Sequence, residues 1–289
     1  MRTALLTAIA MLAFATNSVL ARLALSDGSI DPLAFTGIRL MSGAAVLAII
    51  LFYRRTSEVL RTFPRTGNWT GAVSLLLYAI TFSVAYGMVS AGPGALILFA
   101  SVQISMVAWA VAKGDRPALF EWLGMFIAIA ALTYLVFPGL TAPPLSGAAL
   151  MAIAGASWGT YSLIGRGSRS PLADTAGNFI RCAPIGAVAV LAGVIRSHPT
   201  SGGVAYALFS GAIASGLGYI IWYDVLPKLS RTTAAVVQLT VPGIAALGGV
   251  VLIGEPLTGR LLIAMAGIVG GVSVTLFATD RRRRKMPPV

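Results

Sequence analysis

The stretch Phe14-Ala-Thr-Asn-Ser-Val-Leu-Ala-Arg22 recurs in the second half of the chain as Trp158-Gly-Thr-Tyr-Ser-Leu-Ile-Gly-Arg166. An aromatic residue, two hydroxyl residues and a closing arginine keep their spacing in both copies. Two further pairs occur in the same order in the two halves, Arg39 with Arg181 and Gly114-Asp115 with Gly254-Glu255. Three matches in one order predict an internal repeat of about 140 residues.

The composition indicates the environment of this repeat. Of the 289 residues, 57% are hydrophobic and only 10% are charged, and the mean hydropathy is +0.87. A soluble domain of this length needs more polar surface than these residues can supply. The chain is therefore predicted to lie in a lipid bilayer.

Ten apolar stretches of about 20 residues are separated by polar residues, prolines and glycines, and each is long enough to cross the bilayer as a helix. None shows the two-residue alternation of a membrane β-barrel strand. We therefore expect an all-α integral membrane protein with ten transmembrane helices. The predicted spans are Thr3–Leu25, Pro32–Phe52, Trp69–Ser90, Pro93–Ala112, Ala118–Phe137, Leu145–Ile164, Asp174–Ile195, Gly202–Leu226, Thr232–Ile253 and Leu257–Ala278.

Five spans per repeat is an odd number, so the second repeat must enter the membrane from the opposite side. The chain is thus predicted to form two inverted five-helix repeats, residues 1–140 and 141–279, followed by a basic tail, 280–289. Inverted repeats are the recurrent construction of secondary transporters, because two equivalent halves can open one central site to either side in turn.

Lysine and arginine are distributed unevenly between the two ends of the predicted spans. If the N-terminus is cytoplasmic, 16 of the 21 basic residues are cytoplasmic, whereas Arg22, Arg196 and Arg260 lie on the other side. Cytoplasmic loops carry such an excess, so both termini are predicted to be cytoplasmic. The tail Arg281–Lys285 directly follows a span, which favours lipid headgroups over nucleic acid as its partner.

Other classes of function find little support. The sequence has no cluster of His, Cys and carboxylate residues for an enzyme or a metal site, and no glycine-rich phosphate loop. We therefore expect no catalytic residue, no metal and no cofactor. A channel or facilitator for small solutes, or a membrane protein without transport activity, is the alternative to a carrier. No acidic residue falls mid-span, so the mode of energy coupling stays open.

The motifs resemble those of EamA-domain proteins of the drug/metabolite transporter superfamily. The resemblance rests on the two five-span halves, the element Trp158-Gly159-Thr160, the paired Arg39 and Arg181, and Gly254-Glu255-Pro256 before the last span. It implies a bacterial inner-membrane exporter of a small organic solute, such as an amino acid or related metabolite. It also implies a central cavity lined by spans 1, 3, 4, 6, 8 and 9, with spans 5 and 10 as outer scaffold. A homodimer stays open.

Aromatic and amide side chains on the lining spans are the candidate solute contacts. Tyr78 and Phe82 are one helical turn apart and share a helix face, and such faces suit a small amphipathic solute. The alternative is that these side chains only pack between helices. The residues predicted to bind solute are Asn17, Tyr78, Phe82, Gln103, Trp158, Tyr161, Trp222 and Gln238.

Two arginines fall inside predicted spans, where cations are costly and usually paired or functional. The matching positions of Arg39 and Arg181 predict a symmetric structural role, such as bracing the two halves, with anion or carboxylate recognition as the alternative. Asp115 and Glu255 are expected to cap or tether the last span of each repeat.

Overall fold

The structure is a computed structural model and describes residues 2–53, 66–114, 116–137, 139, 142–165, 168, 170–229, 234 and 237–285. Arg166, Asp115 and the basic segment 54–65, which figure in the sequence-based predictions, lie outside the described residues.

The described residues are almost entirely helical, as predicted for an all-α membrane protein. Nine helices are long and apolar enough to cross a bilayer within the described ranges, and a tenth apolar helix, α9, is shorter. In chain order they are α1 Arg2–Leu25, α2 Pro32–Tyr53, α3 Trp69–Tyr86, α4 Ala91–Ala112, α5 Leu119–Val136, α6 Leu145–Gly165, α7 Pro171–Arg196, α8 Ser201–Val225, α9 Val241–Ile253 and α10 Gly259–Lys285.

The predicted spans and the observed helices agree closely. For the ninth span, predicted from Thr232, residues 230–233, 235 and 236 lie outside the described residues, and the described helix α9 begins at Val241. Pro242 lies in its first turn, where the missing N–H of proline costs no hydrogen bond. At the other end Gly254 adopts φ +74°, a left-handed conformation that terminates the helix.

Successive helices run in opposite directions, so their ends form two faces. We call the face where α1 begins the N-terminal face and the face where α1 ends the distal face. At the distal face the Thr200 N–H donates to Ser29 O at 2.8 Å. At the N-terminal face the Gly67 N–H donates to the Asp174 carboxylate at 2.8 Å. At each face, therefore, the segment that leads into a helix of one half is hydrogen-bonded to the other half of the chain.

The two halves meet through glycines in two helix pairs. In the α5–α10 pair, Gly124 and Gly271 lie against each other's backbone, and in the α2–α7 pair Gly37 lies against Gly186. Small residues of this kind let two membrane helices approach closely enough for extensive van der Waals contact. The α5–α10 pair contacts the remaining bundle mainly through α4, which agrees with the outer-scaffold position that the resemblance implies.

Large apolar side chains cover the outside of the bundle. Among the most exposed are Phe120, Phe126 and Trp122 on α5 and Ile195 on α7. A soluble protein would rarely expose so much contiguous apolar surface, whereas hydrocarbon solvates it. The chain is an all-α integral membrane protein in which two five-helix repeats are related by inversion.

We expect the substitution Gly271→Ala to destabilise the protein. A Cβ atom at Gly271 would lie 2.5 Å from Gly124 O and 2.7 Å from Ala128 N, both backbone atoms that cannot move without separating α5 from α10. The expected loss is about 1 to 3 kcal/mol of unfolding free energy, measured by thermal unfolding in detergent. The matched control is Gly270→Ala on the adjacent residue, whose Cβ would meet nothing within 4 Å. Equal stability of the two variants would contradict close α5–α10 packing.

Candidate substrate-binding site

Trp158 on α6 lies at the centre of an aromatic cluster built from both halves of the chain. Its ring centroid is 5.0 Å from that of Tyr219, 5.1 Å from that of Tyr78 and 5.5 Å from that of Tyr161. Phe14, the residue that occupies the matching position in the first repeat, contacts it edge-on at 6.5 Å. The duplicated sequence element thus places its two aromatic residues against each other in the middle of the bundle.

Further rings extend this cluster toward neighbouring helices. Phe14 contacts Trp222 on α8 at 5.9 Å, and Tyr78 contacts Phe82 one turn along α3 at 5.3 Å. Each such pair contributes roughly 0.5 to 1.5 kcal/mol beyond the area that it buries. The cluster is therefore a cohesive part of the core as well as a candidate binding surface.

A small cavity lies against the rings. Its volume is about 20 Å³, which is room for about one water molecule and far less than the ~300 Å³ or more of a typical ligand pocket. An organic solute can enter only if the side chains around the cavity move apart, and in this sense we call the cavity closed. The lining residues are Phe14, Asn17, Ser18, Tyr78, Phe82, Leu98, Phe99, Trp158, Ala214 and Tyr219.

A chain of hydrogen bonds runs beside the cavity and joins four helices. The Tyr78 hydroxyl accepts from Asn17 Nδ2 at 3.3 Å and from Arg39 Nη2 at 2.9 Å. The Ser210 hydroxyl donates to Asn17 Oδ1, and Arg39 Nε donates to Ser215 Oγ at 3.2 Å. Polar groups from α1, α2, α3 and α8 therefore satisfy one another in a region that hydrocarbon surrounds.

The two serines reach this chain because α8 contains a π-helical segment, Ser210–Leu217. In a π-helix the hydrogen bonds run from residue i to i+5, so Ser210 and Ser215 lie on nearly the same side, whereas 3.6 residues per turn would direct them apart in an α-helix. Gly211 within the segment lets α8 approach the backbone of α2 at Arg39. π-helical segments are frequent at functional sites.

The two span arginines have different surroundings, although each bonds the other half of the chain, Arg39 through Ser215 and Arg181 through Thr66. Arg39 is only 2% exposed, and its guanidinium lies over the rings of Tyr78 and Phe82 at 5.1 and 4.7 Å. Arg181 is half-buried at the N-terminal face, where its Nη1 donates to the carbonyls of Thr66 and Gly177. Arg181 therefore anchors the entry to α3, and Arg39 alone belongs to the central site.

The structure brings together six of the eight residues predicted to contact solute. Four line the cavity, and Tyr161 and Trp222 each touch a lining ring. Gln103 is 5% exposed and makes no hydrogen bond to the described residues, but it does not line the cavity. Gln238 is partly exposed and precedes α9. The four that line the cavity are Asn17, Tyr78, Phe82 and Trp158.

Several residues of the site were not among the predicted contacts. Phe14 could have been found, because it aligns with Trp158 in the repeat. Ser210 and Ser215 carry no comparable signal, since a π-helical segment leaves no recognisable pattern in one sequence. Leu98 and Phe99 are apolar residues in a wholly apolar stretch, so nothing distinguishes them from lipid-facing neighbours.

A partly buried ion pair closes the distal face above the cluster. Arg22 Nε donates to Glu255 Oε1 at 2.8 Å, and Arg22 Nη1 donates to Tyr86 O at 3.1 Å. The second carboxylate oxygen of Glu255 accepts from the Ala91 N–H at 2.8 Å, at the N-terminus of α4. We call these four residues the distal latch. Glu255 thus tethers the segment before α10 to α1 and α4, which belong to the other half of the chain.

The distal latch borders a larger cavity that opens on the distal face. Its volume is about 320 Å³, and Glu255, Pro256 and Thr258 contribute to its wall. On the opposite side Pro143 and Pro144, which precede α6, complete the wall. The latch thus separates an open distal cavity from the closed aromatic cluster.

Comparison with known proteins assigns this architecture to a family. The EamA-like transporter family matches residues 1–137 and again residues 145–277. The chain belongs to the EamA-like transporter family. One solved crystal structure shares its fold, with a TM-score of 0.66 at 22% identity, covering 97% of this chain and 99% of that one.

Relatives of this EamA-family protein cover most of its length. A protein of Pseudomonas aeruginosa described as uncharacterized is 47% identical over 95% of this chain and 94% of its own. The uncharacterized transporter YwfM of Bacillus subtilis is 27% identical over 90% and 89% of the two chains. The threonine/homoserine exporter RhtA of Salmonella typhimurium is 28% identical over 76% and 72%.

We expect Glu255→Gln to destabilise the closed protein by about 1 to 3 kcal/mol, because it leaves the Arg22 guanidinium without its partner in a site where the two side chains are only 19% and 11% exposed. Thermal unfolding in detergent measures the loss. Lys228→Gln is the control, since the Lys228–Asp224 pair is about half exposed and such pairs contribute about 0 to 1 kcal/mol.

The double variant Arg22→Gln/Glu255→Gln distinguishes a coupled pair from two separate contacts. If the two side chains stabilise one another, its loss is smaller than the sum of the single losses. Strictly additive losses would show that Arg22 and Glu255 act independently and that the distal latch is not a unit.

Proposed function

We propose that this protein is an inner-membrane carrier that exports a small organic solute, such as an amino acid or a related metabolite. The observation that carries the proposal is the closed aromatic cavity at the junction of the two inverted repeats. In inverted-repeat transporters the substrate site lies near the membrane midplane between the repeats, and each half moves against the other around it.

The chemistry of the cavity wall supports a small amphipathic solute. Rings of Phe14, Trp158 and Tyr219 offer stacking surfaces, and Asn17 and Tyr78 offer an amide and a hydroxyl. Such a mixture of apolar walls with a few oriented polar groups is typical of small-molecule sites. The exporter RhtA, whose name specifies threonine and homoserine, supports the amino-acid class.

A carrier fits the closed interior better than a channel does. A channel needs a continuous water-filled path in its conducting state, whereas the central cavity holds about one water molecule and is closed by rings. The distal latch adds a second closure above it, made by residues from both halves. Alternating access would open this latch and separate the rings in one of its steps.

The proposed orientation places both termini, and therefore the N-terminal face, in the cytoplasm. It rests on the excess of basic residues on that side. Repeat 1 is then residues 1–140, repeat 2 is residues 141–279, and the distal latch faces the periplasm. Export would carry solute from the N-terminal face past the aromatic cluster and out through the latch.

Transport assays with purified protein in proteoliposomes test the carrier. Saturable uptake of a radiolabelled amino acid with counterflow is expected for at least one member of a panel of amino acids and toxic metabolites. Trp158→Leu should raise the half-saturating concentration about fivefold or more, since a lost ring contact is worth roughly 1 kcal/mol. Trp122→Leu, at a 51% exposed ring on α5, is the matched control. Non-saturable flux without counterflow would contradict a carrier.

Cysteine labelling in cells tests the orientation. In a Cys182→Ser background, Ser146→Cys should react with a membrane-impermeant thiol reagent added outside, because Ser146 is exposed in the first turn of α6 at the distal face. Thr56→Cys, in the basic segment after α2, should react only after the cells are permeabilised. The reverse pattern would overturn the orientation and with it the direction of export.

A further inference from the structure

The guanidinium of Arg39 carries a buried charge that no acidic residue in the described part of the chain compensates. Its side chain is 2% exposed, and none of the ion pairs among the described residues includes it. Other deeply placed arginines have a carboxylate partner, Glu255 for Arg22 and Glu121 for Arg282. Burying a cation without a counter-charge is expensive, so such residues are usually functional.

Neutral groups contact the faces of this guanidinium and two of its three nitrogen atoms. Nε donates to Ser215 and Nη2 donates to Tyr78, while the rings of Tyr78 and Phe82 cover the planar group. Nη1 is buried and has no hydrogen-bond partner among the described residues. Hydroxyls and ring faces offset part of the cost of the charge, and an anion would offset the remainder.

The open donor lies next to the candidate binding cavity. Tyr78 and Phe82 line the cavity, and the guanidinium lies over both of their rings. A displacement of these two rings, which solute entry already requires, would therefore expose Arg39 to the solute. Arginine is well suited to this task because its planar fork matches a carboxylate.

We infer that the exported solute bears one carboxylate and that Arg39 binds it through Nη1; this inference rests on the proposed function. The carboxylate neutralises the guanidinium, and the remainder of the solute packs on the rings of Trp158, Phe14 and Tyr219. None of the described residues that line the cavity is acidic, so an α-ammonium group would contact ring faces instead of a counter-ion. The chemical class is a small monocarboxylate, with amino acids as the amine-bearing members.

Matched solutes distinguish recognition of the carboxylate from recognition of the amine. L-threonine carries both groups, L-threoninol keeps the amine and lacks the carboxylate, and 3-hydroxybutyrate keeps the carboxylate and lacks the amine. Leucine with leucinol and 4-methylpentanoate, and phenylalanine with phenylalaninol and 3-phenylpropionate, extend the series to larger side chains. Binding to the full-length protein in detergent is measured by thermal unfolding and by tryptophan fluorescence, and transport is measured in proteoliposomes.

In the wild-type protein at least one parent amino acid or its amine-free acid should bind at least about tenfold more tightly than the matched alcohol, because the alcohol cannot accept a charge-assisted hydrogen bond from the guanidinium. Arg39→Gln should abolish the preference, so that acid and alcohol bind with about equal affinity. Arg39→Lys should retain part of the preference because it keeps the charge. Arg181→Gln, at the matching position in the second half, should keep the full preference.

The outcomes separate this inference from the proposed function. Transport of alcohols as readily as acids, or an acid preference that survives in Arg39→Gln, would overturn the role of Arg39 while leaving a carrier in place. Absence of binding and transport for every solute in the series would count against both. If Arg39→Gln does not fold, Arg39→Lys and the acid-to-alcohol comparison in the wild-type protein still decide, because equal affinity for acid and alcohol excludes a carboxylate site.

Discussion

Hydrocarbon provides no hydrogen-bond partners, so a polar side chain inside this bundle is stabilised when it finds one within the protein. The Tyr78 hydroxyl meets that constraint at the centre of the molecule by accepting from Asn17 on α1 and from Arg39 on α2. Ser210 and Ser215 then join α8 to the same chain. Because these contacts connect both halves, the packing of the aromatic cluster, the closure of the small cavity and the placement of Arg39 all depend on one set of interhelical hydrogen bonds.

The two halves meet in two physically different ways. At the α2–α7 and α5–α10 pairs, glycines hold backbones in direct contact, and close-packed backbone surfaces have little freedom to rearrange. At the centre, rings and single hydrogen bonds surround the cavity, and of the described residues there only Gly211, against Arg39, and Gly155, against Leu98, make backbone contacts of the glycine kind. A solute path is therefore expected through the aromatic centre, with the glycine pairs acting as supports about which the halves move.

Most of the architecture could be predicted from the sequence because the length and hydropathy of a single stretch are enough to identify a membrane helix. The repeat added the pairing of Phe14 with Trp158, and one-turn spacing grouped Tyr78 with Phe82. Periodicity does not predict which neighbour a helix face contacts. The sequence places Gln103, Gln238 and Asn17 alike near the middle of a span, yet of the three only Asn17 lines the cavity. Arg39 and Arg181 occupy matching positions, but the surroundings of each depend on contacts with distant segments. Glu255 likewise bonds Arg22 and Ala91, far away along the chain.

The π-helical segment of α8 makes the site depend on residue count as well as on residue identity. Each residue removed from an α-helix turns everything beyond it by roughly 100°. Tyr219 and Trp222 follow Ser210–Leu217 directly, and their rings meet Trp158 and Phe14 only in the present register. A single deletion between this segment and Tyr219 would direct both rings toward other neighbours, whereas a deletion within the segment can be absorbed by a change from π-helical to α-helical turns that keeps their register. Relatives of equal hydropathy but different spacing in α8 would then carry differently shaped sites on the same scaffold.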